Sequence, residues 1–437
     1  MPKRQNNNKC SVYIWNELVG ELILIKEKIY FKYKNNFDLE ISPIELPVSK
    51  NQFDFSDLKF QYGLSGVFSD SLPDSFGMKI IDDYFHDNYP AFSPNIIDKL
   101  LFVGEVNFGA LSYKPAYGSA KENNIPIELS KIKQHKKNIL ENKTYSSVKE
   151  AAAVYRSFSP AGGAREKIIL NYNEKNNSFS VGANINNDIP ILLKLDESKK
   201  SNDGRNGIIE YIYSLTARKA GIDFPDTYLF KDENGFSHFA VKRFDVNRDG
   251  EKLHKHTLSG LLNIDKSKRI DYIEFMEIAK NQLFVSQKDI VEMYRRMVFN
   301  YVFNNNDDHI KNHSFLMGKD GNWKISPAYD VTFNNVIAHR NMMLSINYKK
   351  SSDVVMDDFK VIADKFGISN FKEIILEVQS TKEYFSDLVI KMIPAEFDYD
   401  ISLYLDINEI IDSDIINGYI DEKDVPADAG VDLGLDV

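Results

Sequence analysis

Asp307 and Asn312 share one polar turn, Asn306-Asp307-Asp308-His309-Ile310-Lys311-Asn312, wedged between two apolar runs. The D-x-x-x-x-N spacing puts a carboxylate and a side-chain amide on the same loop. Transfer of a phosphoryl group to a hydroxyl needs both there: the carboxylate takes the hydroxyl proton, and the amide oxygen holds a magnesium ion against the same phosphate. A further ligand must grip the metal from the other side. Asp330, 18 residues beyond Asn312 at the end of Ser326-Pro327-Ala328-Tyr329-Asp330, follows a hairpin that can fold back beside the loop. The plainer reading is a turn whose Asp and Asn satisfy local backbone groups. The apolar flanks and the returning acid weigh toward chemistry.

Lys194 sits inside the apolar strand Ile191-Leu192-Leu193-Lys194-Leu195. A buried ammonium needs a partner, and Glu210, near the start of the next predicted helix, can supply one. In phosphoryl transfer such a lysine contacts the α- and β-phosphates and the glutamate holds it in place. The competing reading is an edge lysine reaching out to water. Gly162-Gly163-Ala164, with Lys167 after it, precedes a strand, and glycines there let backbone N–H groups approach phosphate oxygens. A simple flexible turn is the alternative. Ser157 and Ser159 lie just upstream and offer hydroxyls for modification. His309 and His313 have i, i+4 spacing across a turn and match no H-E-x-x-H, so a zinc site is not expected.

These residues need elements to carry them. The chain has 437 residues, 43% of them hydrophobic and 12% aromatic, enough for two or three cores. Residues 1–118 read as an antiparallel meander, two helices split at Leu72-Pro73-Asp74, and a Gly-punctuated strand at Phe108–Tyr113. The polar stretch Ser119–Lys143 marks a boundary, and a helix is predicted over Ser146–Tyr155. Residues 145–250 read as strands with one helix from about Gly207 to Ala220, closed by a hairpin around Glu233-Asn234-Gly235. Residues 251–421 become helical, with helices predicted at Asp271–Phe284, Gln287–Phe303, Val354–Phe366 and Phe371–Met392, and a hairpin of His313–Met317 with Asn322–Ile325. Residues 422–437 form an acidic tail expected to be disordered. The net charge of −10 argues against direct binding to DNA. The single cysteine, Cys10, excludes an intramolecular disulfide framework, and the polar start with no apolar span fits a cytoplasmic protein without a membrane segment.

Together these segments resemble the HipA family of serine/threonine kinase toxins from bacterial toxin–antitoxin modules. Asn306–Asn312 resembles its catalytic loop, Ser326–Asp330 its metal-binding segment, and Val241-Lys242-Arg243-Phe244-Asp245 its R-F-D hinge strand. Gly163-Ala164-Arg165-Glu166-Lys167 is similar to its phosphate loop, Glu210–Pro225 to the following helix and turn, and Phe68–Gly77 to its N-terminal subdomain. The resemblance implies an α+β, bilobal protein-kinase-like fold with an added N-terminal β-rich subdomain, using ATP and Mg²⁺. It implies Asp307 and Lys194 as catalytic residues and Asn312 and Asp330 as metal ligands. Gly162, Gly163, Ala164, Lys167, Lys194, Glu210, Val241, Phe244 and His309 would line the ATP site. It also implies inactivating autophosphorylation at Ser159 or Ser157, a protein substrate of the translation machinery such as an aminoacyl-tRNA synthetase, and a small helix-turn-helix, HipB-like antitoxin. Through that antitoxin the protein would meet DNA only indirectly. Asp308 replaces a glycine of some members and is expected to add charge beside the base. The alternatives are a kinase of a small molecule and a catalytically silent module that binds nucleotide and antitoxin.

Overall fold

The computed structural model describes residues 6–117, 124–129, 155–158, 166–196, 206–333, 342–393 and 402–410, apart from 59–60, 74, 90, 183, 185–187, 234, 248–249 and 406. Ser159, Gly162, Gly163 and Ala164 lie outside the described residues, as do the acidic tail and all but the last residue of the helix predicted at Ser146–Tyr155.

The chain begins with β1 (Lys9–Ile14), β2 (Glu17–Ile25) and β3 (Lys28–Tyr33), a meander whose alternate side chains are buried. Both connections are two-residue turns with left-handed backbone, at Trp15-Asn16 and Lys26-Glu27, which suits the twist of paired strands. With β4 (Phe53–Asp54) and β5 (Leu111–Lys114) they make a sheet of order β4-β3-β2-β1-β5. Helices α1 (Gly66–Ser69), α2 (Ser75–Asn88) and α3 (Ile96–Val103) complete this subdomain.

The next sheet contains β6 (Asn124–Ile127), β7 (Lys167–Asn173), β8 (Ser178–Gly182), β9 (Ile189–Lys194), β10 (Thr227–Lys231) and β11 (Ser237–Lys242), in the order β10-β11-β9-β7-β8-β6. The stretch read as a boundary, 119–143, therefore contributes a strand, β6. It pairs with β8 at the sheet edge, where Pro126 lacks an N–H but no neighbour requires one. Helix α4 (Asn206–Lys219) accompanies this sheet. The sheet and the N-terminal subdomain share a core: Ile168, Leu170, Val181 and Leu193 belong to the same apolar cluster as Phe85, Leu101, Phe102 and Tyr155.

The last lobe opens with a strand where helix was expected. β12 (His254–Thr257) pairs with β13 (Ser314–Met317), which pairs with β14 (Trp323–Ile325). Around it stand α5 (Leu258–Leu261), α6 (Tyr272–Asn281), α7 (Gln287–Val302), α8 (Met356–Phe366), α9 (Phe371–Gln379), α10 (Lys382–Met392) and α11 (Ser402–Leu405). The expected Ser286–Asp289 capping box starts α7. The single helix predicted over Phe371–Met392 is two, because at the break Ser380 Oγ donates to the Glu377 carbonyl (2.8 Å) and Thr381 Oγ1 to that of Val378 (2.7 Å).

Asp70, just after α1, docks the N-terminal subdomain onto this lobe. Its carboxylate accepts from Thr257 N (2.8 Å) and Thr257 Oγ1 (2.8 Å) and pairs with His256 Nδ1 (2.7 Å). Beside it α1 and α5 meet backbone to backbone: a Cβ on Gly66 would lie 2.1 Å from the Gly260 carbonyl oxygen. Burial pushes the Asp70 carboxyl up, and His256, with Lys255 and Lys311, outweighs burial and holds it well below its ordinary 3.8. Asp70→Ala is expected to cost about 3–5 kcal/mol, because it strands buried donors. Denaturant melts check this. Since the folded carboxyl titrates below the unfolded one, the deficit should be full at neutral pH and shrink as pH falls below the ordinary value; an unchanged midpoint would remove the docking role.

Candidate active site

Lys194 ends β9, and its Nζ lies 2.5 Å from Glu210 Oε2 while also pairing with Asp330 Oδ1. The geometry that brings Glu210 there is local. Asp196, two residues past Lys194, accepts from Gly207 N with Oδ2 (3.0 Å) and fixes the start of α4. Gly207 has no room for a side chain, since a Cβ would meet the Ser237 carbonyl oxygen at 2.0 Å. The first turn of α4 is thus pressed onto β11 with Glu210 facing the strand lysine. Lys167 on β7 is the register partner of Lys194 and is itself buried. Burial pushes the Asp330 carboxyl up, but Lys194 and Lys167 outweigh it and hold it well below the usual carboxylate range. Asp330 also has a left-handed backbone, φ +57°, a conformation that costs energy in a non-glycine residue.

The loop after α7 is held by a ladder of polar groups. Asn305 Nδ2 donates to Asn300 Oδ1 (3.0 Å), Asn300 Nδ2 to the Tyr272 hydroxyl (3.0 Å), and that hydroxyl to Asp308 Oδ2 (2.8 Å). Tyr213, one turn beyond Glu210 on α4, donates to the Phe303 carbonyl (2.5 Å) and links the lysine-bearing lobe to the start of the loop. Asn312 Nδ2 donates to the Asp307 carbonyl (2.7 Å), which fixes the amide so that Oδ1 remains as an acceptor. The Asp307 side chain is half-buried. Tyr329 donates its hydroxyl to the Lys311 carbonyl (2.8 Å), tying the segment that carries Asp330 to the loop that carries Asp307.

The remaining expected residues fall in different places. Burial holds the half-buried His309 imidazole below its ordinary value, against the opposing charges of Asp307 and Asp330. His313 is buried, its imidazole pushed down to about 3 by burial, and its Nε2 lies 3.3 Å from the Asp308 carbonyl. Val241 is buried on β11, and the Phe244 ring packs 5.4 Å from that of Tyr329. Ser157 is only 3% exposed, in a helical turn at 155–158. Asp308 does not put its carboxylate beside the base. It faces inward and accepts from Tyr272, Met343 N (2.8 Å) and Leu344 N (3.2 Å). Arg243 and Asp245 of the R-F-D strand carry a role the sequence reading did not give them: they pair at 2.6 Å and hold the N-terminal subdomain through the Asn107 carbonyl (2.8 Å) and Gly109 N (2.7 Å). An Arg-x-Asp pair flanking a hinge phenylalanine was the available signal.

Comparison with known proteins fits this layout. The family model described as HipA-like C-terminal domain matches residues 159–385, more than half of the chain, and that described as HipA N-terminal domain matches 10–114. The chain belongs to the HipA family. A putative kinase of Haemophilus influenzae is 32% identical over 126 residues, 26% of this chain and 37% of that protein. Putative kinase Y4dM of Sinorhizobium fredii is 25% identical over 209 residues, 44% of this chain and 50% of that protein. The matches thus span half or less of the length of either relative. The solved structure of Shewanella oneidensis HipA, in complex with HipB and its operator DNA, superposes with a TM-score of 0.64 at 15% identity, covering 91% of this chain and 95% of that one. The HipA fold, α+β and bilobal with its N-terminal subdomain, is therefore the fold of this chain. Among the described residues no helix is long and apolar enough to cross a membrane.

Proposed function

We propose that this protein is an ATP- and Mg²⁺-dependent serine/threonine protein kinase that acts as the toxin of a toxin–antitoxin module. The observation that carries the proposal is the junction of Lys194 with Glu210 and Asp330, beside the loop of Asp307 and Asn312. The donor set suits the cofactor. Asp330 and Asn312 offer hard oxygen ligands, as magnesium prefers, and among the described residues no cluster of three or more His, Cys, Asp or Glu could hold a metal unaided. Bound ATP and Mg²⁺ would supply the transferable phosphoryl group and neutralise its charge. The two buried lysines, Lys194 and Lys167, would hold the phosphates, and Glu210 would keep Lys194 aimed. Asp307 would accept the proton of the substrate hydroxyl while Asn312 and Asp330 fix the metal.

The fuller reading includes autophosphorylation in the glycine-rich loop, a cytosolic protein target in the translation machinery, a cytoplasmic location, and a small helix-turn-helix antitoxin that links the protein to DNA. It draws on family membership and on the related HipA–HipB–operator complex. Burial of Ser157 favours Ser159 as the modified hydroxyl. Intact-mass measurement and phosphopeptide mapping after incubation with ATP and Mg²⁺ test it. A single phosphoryl group at Ser159 is expected. ATP that is neither consumed nor transferred would leave only a silent binding module, and label confined to metabolites would point to a small-molecule kinase.

A further inference from the structure

His238 is buried on β11 and takes no part in the reaction just proposed. Its place follows from where β9 runs out. Lys194, the last residue of β9, is in register with both neighbouring strands, opposite Phe239 of β11 and Lys167 of β7. Backbone N–H groups alternate in direction along a strand. That of Leu195 turns toward β7 and meets the Glu166 carbonyl at 2.9 Å. That of Asp196 turns the other way, toward β11, and what it meets there is a side chain: Asp196 N donates to His238 Nδ1 at 3.0 Å.

A ring nitrogen that accepts carries no proton, so a neutral His238 holds its proton on Nε2. That nitrogen lies 3.6 Å from Asp232 Oδ2, and both side chains are at most 2% exposed. Asp232 is fixed in turn by the β10–β11 connection, where its Oδ1 accepts from Phe236 N (2.9 Å) and its own N–H donates to the Phe236 carbonyl (2.9 Å).

The residue held by the ring is the one that starts α4. Asp196 Oδ2 accepts from Gly207 N, and the same helix start presses on the two chain neighbours of His238: a Cβ on Gly207 would lie 2.0 Å from the Ser237 carbonyl oxygen and 3.1 Å from Phe239 N. Glu210, in the next turn of α4, meets Lys194 Nζ at 2.5 Å. Both members of the Lys194–Glu210 pair are therefore set by Asp196, the lysine through two residues of chain and the glutamate through the helix. Without the ring acceptor a buried N–H loses its partner, and Asp196 shifts to recover one.

We propose that His238 is a positioning residue for the phosphate-binding lysine: its Nδ1 fixes the Asp196 backbone, and through Asp196 it aligns Lys194 with Glu210. This rests on the reading of Lys194 as a ligand of the nucleotide phosphates. It also adds the β10–β11 connection to the elements that govern nucleotide affinity.

The test uses the full chain with Mg²⁺ and compares equilibrium affinity for ATP with that for adenosine, which has no phosphates for Lys194 to hold. His238→Leu is expected to weaken ATP roughly tenfold, the size of one charge-assisted hydrogen bond, and to leave adenosine unchanged. His238→Asn, with its amide oxygen near the place of Nδ1, should restore most of the ATP affinity. His238→Gln, whose amide reaches the place of Nε2, should not. In a Lys194→Ala background His238→Leu should have no further effect on ATP. Nitrogen NMR of the unliganded protein should show the proton of His238 on Nε2. A parallel loss of ATP and adenosine affinity would assign the ring to the fold alone and overturn the proposal. So would unchanged ATP affinity in His238→Leu, a loss that persists without Lys194, or a proton on Nδ1. Where His238→Leu does not fold, equal ATP affinity in the Asn and Gln variants overturns it instead. ATP binding that depends on His238 in this way but yields no phosphoryl transfer would support the positioning role while the kinase reading fails. Absence of ATP binding by the unaltered protein would end both.

Discussion

Asp307→Asn is expected to lower the rate of phosphoryl transfer by about 10²–10⁴-fold, the range for removal of a general base, with KM for ATP nearly unchanged. The substitution is selective because of how the loop is built. Asn312 is oriented by the backbone carbonyl of residue 307, and that carbonyl survives the change. The phosphate-side assembly pairs Lys194 with Glu210 and Asp330, and the substitution leaves those three side chains unaltered. Folding should also be spared, since the side chain is half-buried and asparagine has the same shape. Single-turnover phosphorylation alongside a melting curve checks the expectation. A variant that keeps more than a tenth of the wild-type rate would take the role of base away from Asp307.

Its neighbour carries the second large effect, on stability. Burial pushes the Asp308 carboxyl up to about 7, against the pull of hydrogen bonds from Tyr272, Leu344 and Met343. Its folded pKa therefore lies above the ordinary 3.8 of an unfolded aspartate. The folded state holds a proton that the unfolded state has lost, so this site's contribution is full below the lower value and fades as pH rises through the higher one. Across that window the change is at most about 4 kcal/mol. Asp308→Asn keeps the shape and an acceptor for the two amides without the charge. The variant should match wild type near the ordinary aspartate value, at about pH 4, and exceed it in unfolding free energy at about pH 8. Asp308→Ala should instead lose about 3 kcal/mol at both, because the Tyr272 hydroxyl and two backbone amides lose their acceptor. Parallel pH profiles for wild type and Asp308→Asn would show that the carboxylate is charged throughout.

The arrangement proposed for catalysis was legible because it is local: Asp307 and Asn312 share one turn, and a hairpin returns Asp330 to it. Lys194 and Glu210 were legible for a related reason, since a lone lysine in an apolar strand has to find a carboxylate nearby in the chain. What remained hidden depends on contacts between distant segments. His256 and Asp70 are 186 residues apart, and nothing in either neighbourhood announces the other. Asp308 was misjudged because sequence shows that it neighbours the base but not which way its side chain turns. The strand β6 was read as linker because its apolar alternation is short and interrupted by a proline, which only an edge position tolerates. The break between α9 and α10 was missed since the apolar period runs on across it, while two hydroxyls end the first helix.

The shared core of the N-terminal subdomain and the β6–β11 sheet has a practical consequence for dissection of the protein. Ile168, Leu170, Val181 and Leu193 share one apolar cluster with Phe85, Leu101, Phe102 and their neighbours. A truncation that begins after residue 118 would retain every residue assigned to catalysis and yet bare that face to water. Such a fragment should be recovered as an aggregate, and co-expression of residues 1–118 as a separate polypeptide should restore it to solution. The unit of folding is thus larger than the unit of chemistry.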